Sequence, residues 1–252
     1  MAGNTSIAGA TVVSRAFDLL GAFDEAHRSL PPAELARRAG LPAATAHRLC
    51  ADLVAAGALD RRASGEYVVG RRLWSTGMLA PVQTGLRELA APFLHDIHAT
   101  TRATVHLAVR EGGEVLYLDR VSGGGSAPVV SRIGGRLPLH CTGVGKVLLA
   151  HAPAPVVAGA LDRPARHTPW TVVEPPRLQA QLERVRRDGF ATTVDEMTVG
   201  ASSVAVPVVR ATAAGPEVVA ALGIVVVHLR RDRARLVAAL DVAARGIGRL
   251  LG

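Results

Sequence analysis

Residues 31–57, PPAELARRAGLPAATAHRLCADLVAAG, allow few conformations. Pro31 and Pro32 suit the first turn of a helix, where an amide hydrogen has no intrahelical partner to lose. Gly40 and Pro42 stop that helix after a few turns, and a second helix from Ala43 to Ala56 meets a natural left-handed cap at Gly57. Two helices joined so tightly must pack on each other. Ala36 is small where they approach, Gly40 tolerates the positive φ of a tight turn, and Leu35, Ala39, Leu41, Ala46 and Leu49 form an apolar wedge. The spacing predicts a helix-turn-helix.

The wedge determines which residues of the second helix face outward: Ala43, Ala44, Thr45, His47 and Arg48. Arg48 has the fork that matches guanine O6 and N7, His47 can donate to a phosphate or a base, and the two alanines permit close approach to a thymine methyl. Leu59–Arg62 and Glu66–Val69 flank a Ser64-Gly65 turn and read as a β-hairpin wing. Arg37 and Arg38 on the preceding helix, and Arg61 and Arg62 on the wing, suit phosphate contacts. The formal net charge is +8, and Lys146 is the single lysine. An Arg-rich composition is weak evidence for a polyanionic partner, but arginines gathered in the first 75 or so residues are better evidence. With an amphipathic helix over 11–26 in front, residues 8–72 are expected to form a winged helix-turn-helix DNA-binding domain.

Residues 73–84 are expected to form a linker helix, with the domain boundary near Pro81, and a further helix is expected over 86–100. The pattern then changes to apolar strands at 103–110, 114–121, 127–133, 191–194, 202–209 and 218–227. Helices interrupt them at 144–151, 155–161, 177–188 and 231–251. This irregular alternation predicts an α+β domain over 85–252 with a largely antiparallel sheet. Ser122 to Ser126 is expected to be a flexible loop. No run is long and apolar enough to span a bilayer, and MAGNTSIAGATVVSRAF lacks the organisation of a targeting segment, so the cytoplasm is the expected compartment. Cys50 and Cys141 stand far apart in apolar surroundings, which argues against a disulfide framework or a zinc site of the CxxC type.

Several arrangements that would indicate an enzyme fail on chemistry. Gly143-Val144-Gly145-Lys146 is followed by Val147 where a phosphate loop needs Ser or Thr for magnesium. Lys146 then has either a structural or surface role or that of an anion ligand at a helix entry. His95 and His98, three residues apart, have no other metal ligands nearby in sequence. There is no GxSxG elbow, and the adjacent Asp195 and Glu196 are poorly spaced for paired acid and base work. No catalytic residue, metal ligand or cofactor is expected. A ligand-free architectural DNA-binding protein would leave some 150 residues without a purpose.

The segments PAELARRAGLPAATAHRL, YVVGRRL, TVHLAVREGGEVLYLDRV, IGGRLPLHCTGVGKVLLA, DEMTVGASSVAVPV and VVAALGIVV occur in the order seen in one group of proteins. By these the chain resembles the IclR family of bacterial transcriptional regulators over nearly its whole length. The resemblance implies a winged helix-turn-helix, a linker helix and a GAF-like effector-binding domain. It further implies homodimers or homotetramers on imperfectly palindromic double-stranded operator DNA, acting as repressor or activator. It places a small-molecule effector among Val129, Leu137, Gly143, Val144, Thr193, Asp195, Ala201, Ser203, Gly223 and Val225, with the Gly143 and Val144 amides as donors. Two departures matter. Ala43 and Ala44 stand where family members often have Lys and Ser, and Gly223 and Val225 stand where hydroxyl residues are common. The second departure predicts a neutral or largely apolar effector, because a small carboxylate would lose two donors.

Overall fold

Thr11 accepts the Ser14 amide on its Oγ1 at 3.0 Å and so caps α1, Val12–Leu20. The computed structural model describes residues 11–24, 26–79, 84–123, 127–229 and 232–252. The chain divides into two units, residues 1–82 and 83–252. The helix expected over 11–26 ends at Leu20. Beyond it the Asp24 carboxylate takes the amides of Ala26 and His27 at 2.9 Å each, a local turn that competes with further helix.

The first unit continues with β1 (Ser29–Leu30), α2 (Pro32–Arg38), α3 (Ala43–Ala55), β2 (Leu59–Arg61), β3 (Tyr67–Val69) and α4 (Arg71–Gly77). Gly40 has φ +65°, the left-handed conformation the tight turn needs. Leu35, Ala36, Ala46, Leu49 and Cys50 are buried together with Leu19, Leu30, Leu59 and Tyr67, and Ala39 and Leu41 pack at the margin. The wing has a third strand that hydrophobic patterning does not reveal: β1 pairs antiparallel with β3, giving the order β1-β3-β2. The expected linker helix over 73–84 starts at Arg71 instead and ends at Gly77. Pro81 and residues 80–83 lie outside the described residues, as do 124–126 of the expected loop and residues 8–10.

The second unit opens with α5 (Thr84–Thr101), followed by β4 (Thr104–Glu111), β5 (Glu114–Val121), β6 (Arg136–Pro138), α6 (Gly143–Ala150), α7 (Ala154–Leu161) and α8 (Pro175–Asp188). β7 (Ala191–Val194), β8 (Ser202–Thr212), β9 (Gly215–Val226) and α9 (Arg233–Leu250) complete it. Its sheet runs β6-β5-β4-β9-β8-β7, and every neighbouring pair is antiparallel. Strand alternation gives the sheet two faces. Val105, Leu107, Val109, Val204, Val206, Leu222 and Ile224 bury one face against α5 and α9. Ala108, Ala205 and Ala221 bury part of the other against α6 and α8. Small residues on this second face let α6 come close.

The strand expected over 127–133 does not form. Gly134 and Gly135 instead make a turn bonded to both backbone groups of Tyr117, and only Arg136–Pro138 pairs with β5. The freed segment crosses the second face of the sheet and becomes one wall of a cavity.

Candidate functional site

In the first unit, the outward positions of α3 lie where the wedge predicts. Ala43, Ala44, His47 and Arg48 are exposed, Thr45 is half-buried, and Ala46 and Leu49 point inward. Among the described residues, the side chains of His47 and Arg48 have no hydrogen bond or ion pair, so their donors are free. Arg62 on the wing is exposed and likewise unpaired, whereas Arg61 leans over the Tyr67 ring, 5.7 Å from its centroid.

The two helix-α2 arginines are less available than their sequence position predicts. Arg37 holds Glu34 through two bonds, Nε to Oε2 at 2.8 Å and Nη2 to Oε1 at 2.6 Å, which lowers the Glu34 pKa and cancels much of the local charge. Arg38 is half-buried and turned inward. It donates to the Ala22 carbonyl at 2.8 Å and to Asp24 Oδ2 at 2.5 Å. His27 and then Arg38, outweighing burial, pull the Asp24 carboxyl down to about 2. Arg38 is therefore a brace between α2 and the turn after α1, not a free phosphate donor, which corrects its place among the expected DNA contacts.

In the second unit, nine of the ten residues expected around an effector line one cavity: Val129, Leu137, Gly143, Val144, Thr193, Ala201, Ser203, Gly223 and Val225. The enclosed volume is about 60 Å³, and the open space at its mouth brings the total to about 500 Å³. The register explains the grouping. Thr193, Ser203 and Val225 stand opposite one another on β7, β8 and β9, and Ala205, Gly223 and His106 do so one row along. The N-terminus of α6 points its first-turn amides into this face. Thr142 Oγ1 accepts the Gly145 amide at 3.1 Å, while those of Gly143 and Val144 have no helical partner. Gly143 is required here, because a Cβ would run into Ser203 Oγ.

Asp195 is the exception. Its φ is +58°, and its Oδ1 accepts the Gly200 amide at 2.7 Å to close the turn before β8, which keeps it out of the cavity lining. The repulsion it would exert on an anion does not arise.

Sequence reasoning missed His106, Tyr117, Ser131, Cys141, Thr142 and Met197 in the same wall. The signal for two of them was a polar ring inside apolar strand runs, TVHLAV and EVLYL. His106 Nε2 meets Ser131 Oγ at 2.7 Å, and burial, helped by the nearby Arg120 charge, pushes the imidazole down to about 3, so the ring is neutral. Burial also raises the Tyr117 phenol above its usual range and the Cys141 thiol to about 12. Among the described residues, none lining the cavity carries a charge.

Lys146 is neither on the surface nor at the helix entry. Its Nζ is buried behind α6, 2.5 Å from Glu196 Oε1 and 2.7 Å from Gln181 Oε1. Burial lowers its pKa, and Glu196 opposes that shift. Asp195 and Glu196 diverge as adjacent strand-end residues do. His95 and His98 each bond a backbone carbonyl, of Ala91 and Ala103, and stay apart.

This combination of a basic, wedge-supported helix and a sheet-and-helix cavity has counterparts among known proteins. Residues 12–63 match the IclR helix-turn-helix domain, and residues 79–249 match the bacterial transcriptional regulator IclR C-terminal domain. The chain belongs to the IclR family. It is 30% identical over 246 residues to the HTH-type transcriptional regulator XynR of Escherichia coli, covering 95% of this chain and 96% of the relative. The transcriptional repressor IclR of the same organism is 28% identical over 193 residues, or 75% of this chain and 70% of the relative. Among solved structures, an IclR homolog from Microbacterium hydrocarbonoxydans in complex with 4-hydroxybenzoate superposes with a TM-score of 0.86 at 32% identity, covering 96% of this chain and 99% of that one. The Thermotoga maritima IclR gives 0.77 at 28% identity, covering 95% and 98%. An IclR-family chain of this organisation is a DNA-binding transcriptional regulator with a ligand-binding C-terminal domain, not an enzyme. No helix among the described residues is long and apolar enough to cross a membrane.

Proposed function

We propose that residues 8–72 read an imperfectly palindromic operator in the cytoplasm, that 73–84 link them to the effector domain at 85–252, and that the cavity there takes a neutral or largely apolar single-ring compound. Arg48 and His47 contact base edges or phosphates in the major groove, Ala43, Ala44 and Thr45 sit against the bases, and Arg61 and Arg62 hold the flanking backbone. Arg37 contributes only where a phosphate outcompetes Glu34. Two copies are needed, because recognition helices must stand about 34 Å apart to enter successive major grooves. Val13 and Phe17 on α1, and Trp74, Met78 and Leu79 at α4, are exposed apolar side chains of the kind a second copy covers.

The observation that carries the effector reading is the absence of any charged residue from the lining described above. A small dicarboxylate there would have only the α6 amides and hydroxyls to replace two hydration shells, a deficit of about 1 to 3 kcal/mol for each unmet charged partner. The 4-hydroxybenzoate held by the Microbacterium homolog is a single apolar ring with one carboxylate, half the charge of a dicarboxylate. Ligand binding shifts operator affinity only by its difference in affinity for the two arrangements, typically about 1 to 3 kcal/mol, and operator DNA must shift ligand affinity equally.

The test is a calorimetric titration of 4-hydroxybenzoate, a neutral phenol and succinate, with and without operator DNA. A neutral phenol that binds more tightly than 4-hydroxybenzoate, weakens in Val225→Ser and changes affinity with operator supports the proposal. Tight succinate binding removes the apolar reading, and ligand affinities unmoved by operator remove the allosteric one. In parallel, Arg48→Ala should cost about 1 to 3 kcal/mol with relaxed discrimination at one base pair if the contact is to a base, and should weaken all sequences equally if it is to a phosphate.

A further inference from the structure

His140, Cys141 and His167 meet although they come from different segments: the first two stand between β6 and α6, the third in the loop between α7 and α8. One ligand atom from each, two imidazole nitrogens and a sulfur, lies within 4.8 Å of the others. Around a tetrahedral zinc with Zn–S about 2.3 Å and Zn–N about 2.0 to 2.1 Å, a nitrogen and a sulfur stand roughly 3.6 Å apart. Closing that gap takes side-chain movement of about 1 Å per pair, with no change of fold.

The loop that supplies His167 is already fixed. The His167 amide donates to Thr171 Oγ1 at 3.1 Å and the Thr168 amide does so at 2.9 Å, while the two threonine hydroxyls donate to the carbonyls of Glu196 and Asp195 at 2.7 and 2.6 Å. His140 is oriented as well. Its Nε2 bonds the Ala165 carbonyl at 2.9 Å, and since a carbonyl only accepts, that nitrogen carries the hydrogen and Nδ1 keeps its lone pair. A backbone carbonyl on one nitrogen, which fixes the tautomer, is how metal-binding imidazoles are usually held.

A second observation comes from Glu196, which is 5% exposed. Its Oε1 is taken by Lys146, but its Oε2 is buried with no hydrogen-bond partner. A buried carboxylate oxygen left unpaired calls for a missing donor or cation nearby. Glu196 carries a single negative charge that Lys146 already balances, so a dication with a thiolate ligand at Cys141 would keep a net charge of about +1 for an anionic donor such as hydroxide at its fourth position.

We propose that His140, Cys141 and His167 bind a divalent transition metal of the zinc class. Two nitrogens and a sulfur select zinc or its neighbours over magnesium or calcium. Three protein ligands leave a fourth position for water or another donor. His167 is exposed, so the ion has a path in, and Cys141 lines the cavity, so the ion would sit in its wall. A bound ion would add positive charge to the cavity wall, so the neutral-effector reading applies to the metal-free chain.

The test uses the tag-free full chain, stripped with EDTA and reloaded with Zn2+ or Co2+. The expected result is one zinc per chain retained through gel filtration, and a near-ultraviolet thiolate-to-cobalt charge-transfer band that Cys141→Ser abolishes. His167→Ala should weaken zinc binding by more than the roughly 10- to 100-fold that loss of an outer partner costs, while its metal-free thermal midpoint stays that of the stripped parent, which separates ligand loss from misfolding. Sub-stoichiometric retention by the parent, a cobalt spectrum without the thiolate band, or equal affinity in the parent and both variants would overturn it.

Discussion

Replacing Lys146 by Met asks what the buried ion pair contributes to the second unit. The Lys146 and Glu196 side chains are 1% and 6% exposed and 2.5 Å apart, so solvent screens little of their interaction. Removing the lysine strands a carboxylate whose Oε2 already has no partner. Breaking such a pair from one side costs about 3 to 5 kcal/mol. The reverse change, Glu196→Gln, should cost less, because burial already lowers the Lys146 pKa and Gln181 still accepts from Nζ at 2.7 Å. The stranded amine can shed its proton. In that variant the folded pKa lies below the unfolded value, so its stability should rise with pH up to the unfolded value of about 10.4 and fall as pH drops. Replacing both, Lys146→Met with Glu196→Leu, should recover most of the loss, since an apolar pair of similar volume substitutes well for a buried ion pair. Urea unfolding in EDTA, followed by Trp170 in a Trp74→Phe background, isolates the second unit because these are the two tryptophans. Single losses below about 1 kcal/mol that simply add in the double variant would refute the reasoning.

Three further outcomes follow from the geometry. Arg38→Ala should destabilise the first unit and leave the salt dependence of DNA binding unchanged, whereas Arg62→Ala should reduce the slope of log K against log salt by about 1; equal slopes in both variants would restore Arg38 as a phosphate contact. His106 has an ordinary pKa of 6.5 and about 3 in the fold, so its contribution is whole above pH 6.5 and is lost as pH falls toward 3, at about 1.4 kcal/mol per unit. His151, also lowered by burial, adds to that slope, and urea midpoints in EDTA at pH 7 and pH 5 in the parent and His106→Asn should show a smaller fall in the variant. Gly223→Ala puts a methyl 2.7 Å from Val144 Cγ1 and 3.4 Å from Ala205 Cβ, an overpacking of about 1 to 3 kcal/mol that a lowered thermal midpoint would register and an unchanged one would contradict.

How far the sequence could be read depended on whether a position is governed by local or distant partners. The wedge residues Leu35, Ala46 and Leu49 are legible because helix spacing alone decides which way they face, and Gly40 because a tight turn demands its φ. Arg38 was misread because its partners, Ala22 and Asp24, lie on another helix and the turn beyond it, and nothing in the RR pair distinguishes a brace from a free donor. β1 escaped because two residues have no periodicity. The segment 127–133 has the composition of a strand, yet Gly134 and Gly135 bond to Tyr117 and leave no sheet edge for it. The cluster of His140, Cys141 and His167 was invisible for the same reason in stronger form. Its ligands come together only when the 163–174 loop folds back onto the turn before α6.

The cavity's chemistry was legible in part. Gly223 and Val225 do remove hydroxyls from β9, but the sheet puts polar groups back one strand away. Across from Gly223 stands His106 on β4, and across from Val225 stands Ser203 on β8. Register converts a loss on one strand into a gain on its neighbours, because opposite residues share a face. These groups are largely committed to one another: Thr193 and Ser203 share a hydrogen bond at 2.6 Å, and His106 and Ser131 one at 2.7 Å. A neutral imidazole and paired hydroxyls can answer a single hydroxyl or carbonyl on a ring. They cannot replace the cation that a small dicarboxylate would require, and the free α6 amides provide a half-charge at most. The two positions that differ on β9 therefore move the polar end of the cavity sideways without making it ionic, and the same substitutions that open space beside Val144 also limit what charge can fill it.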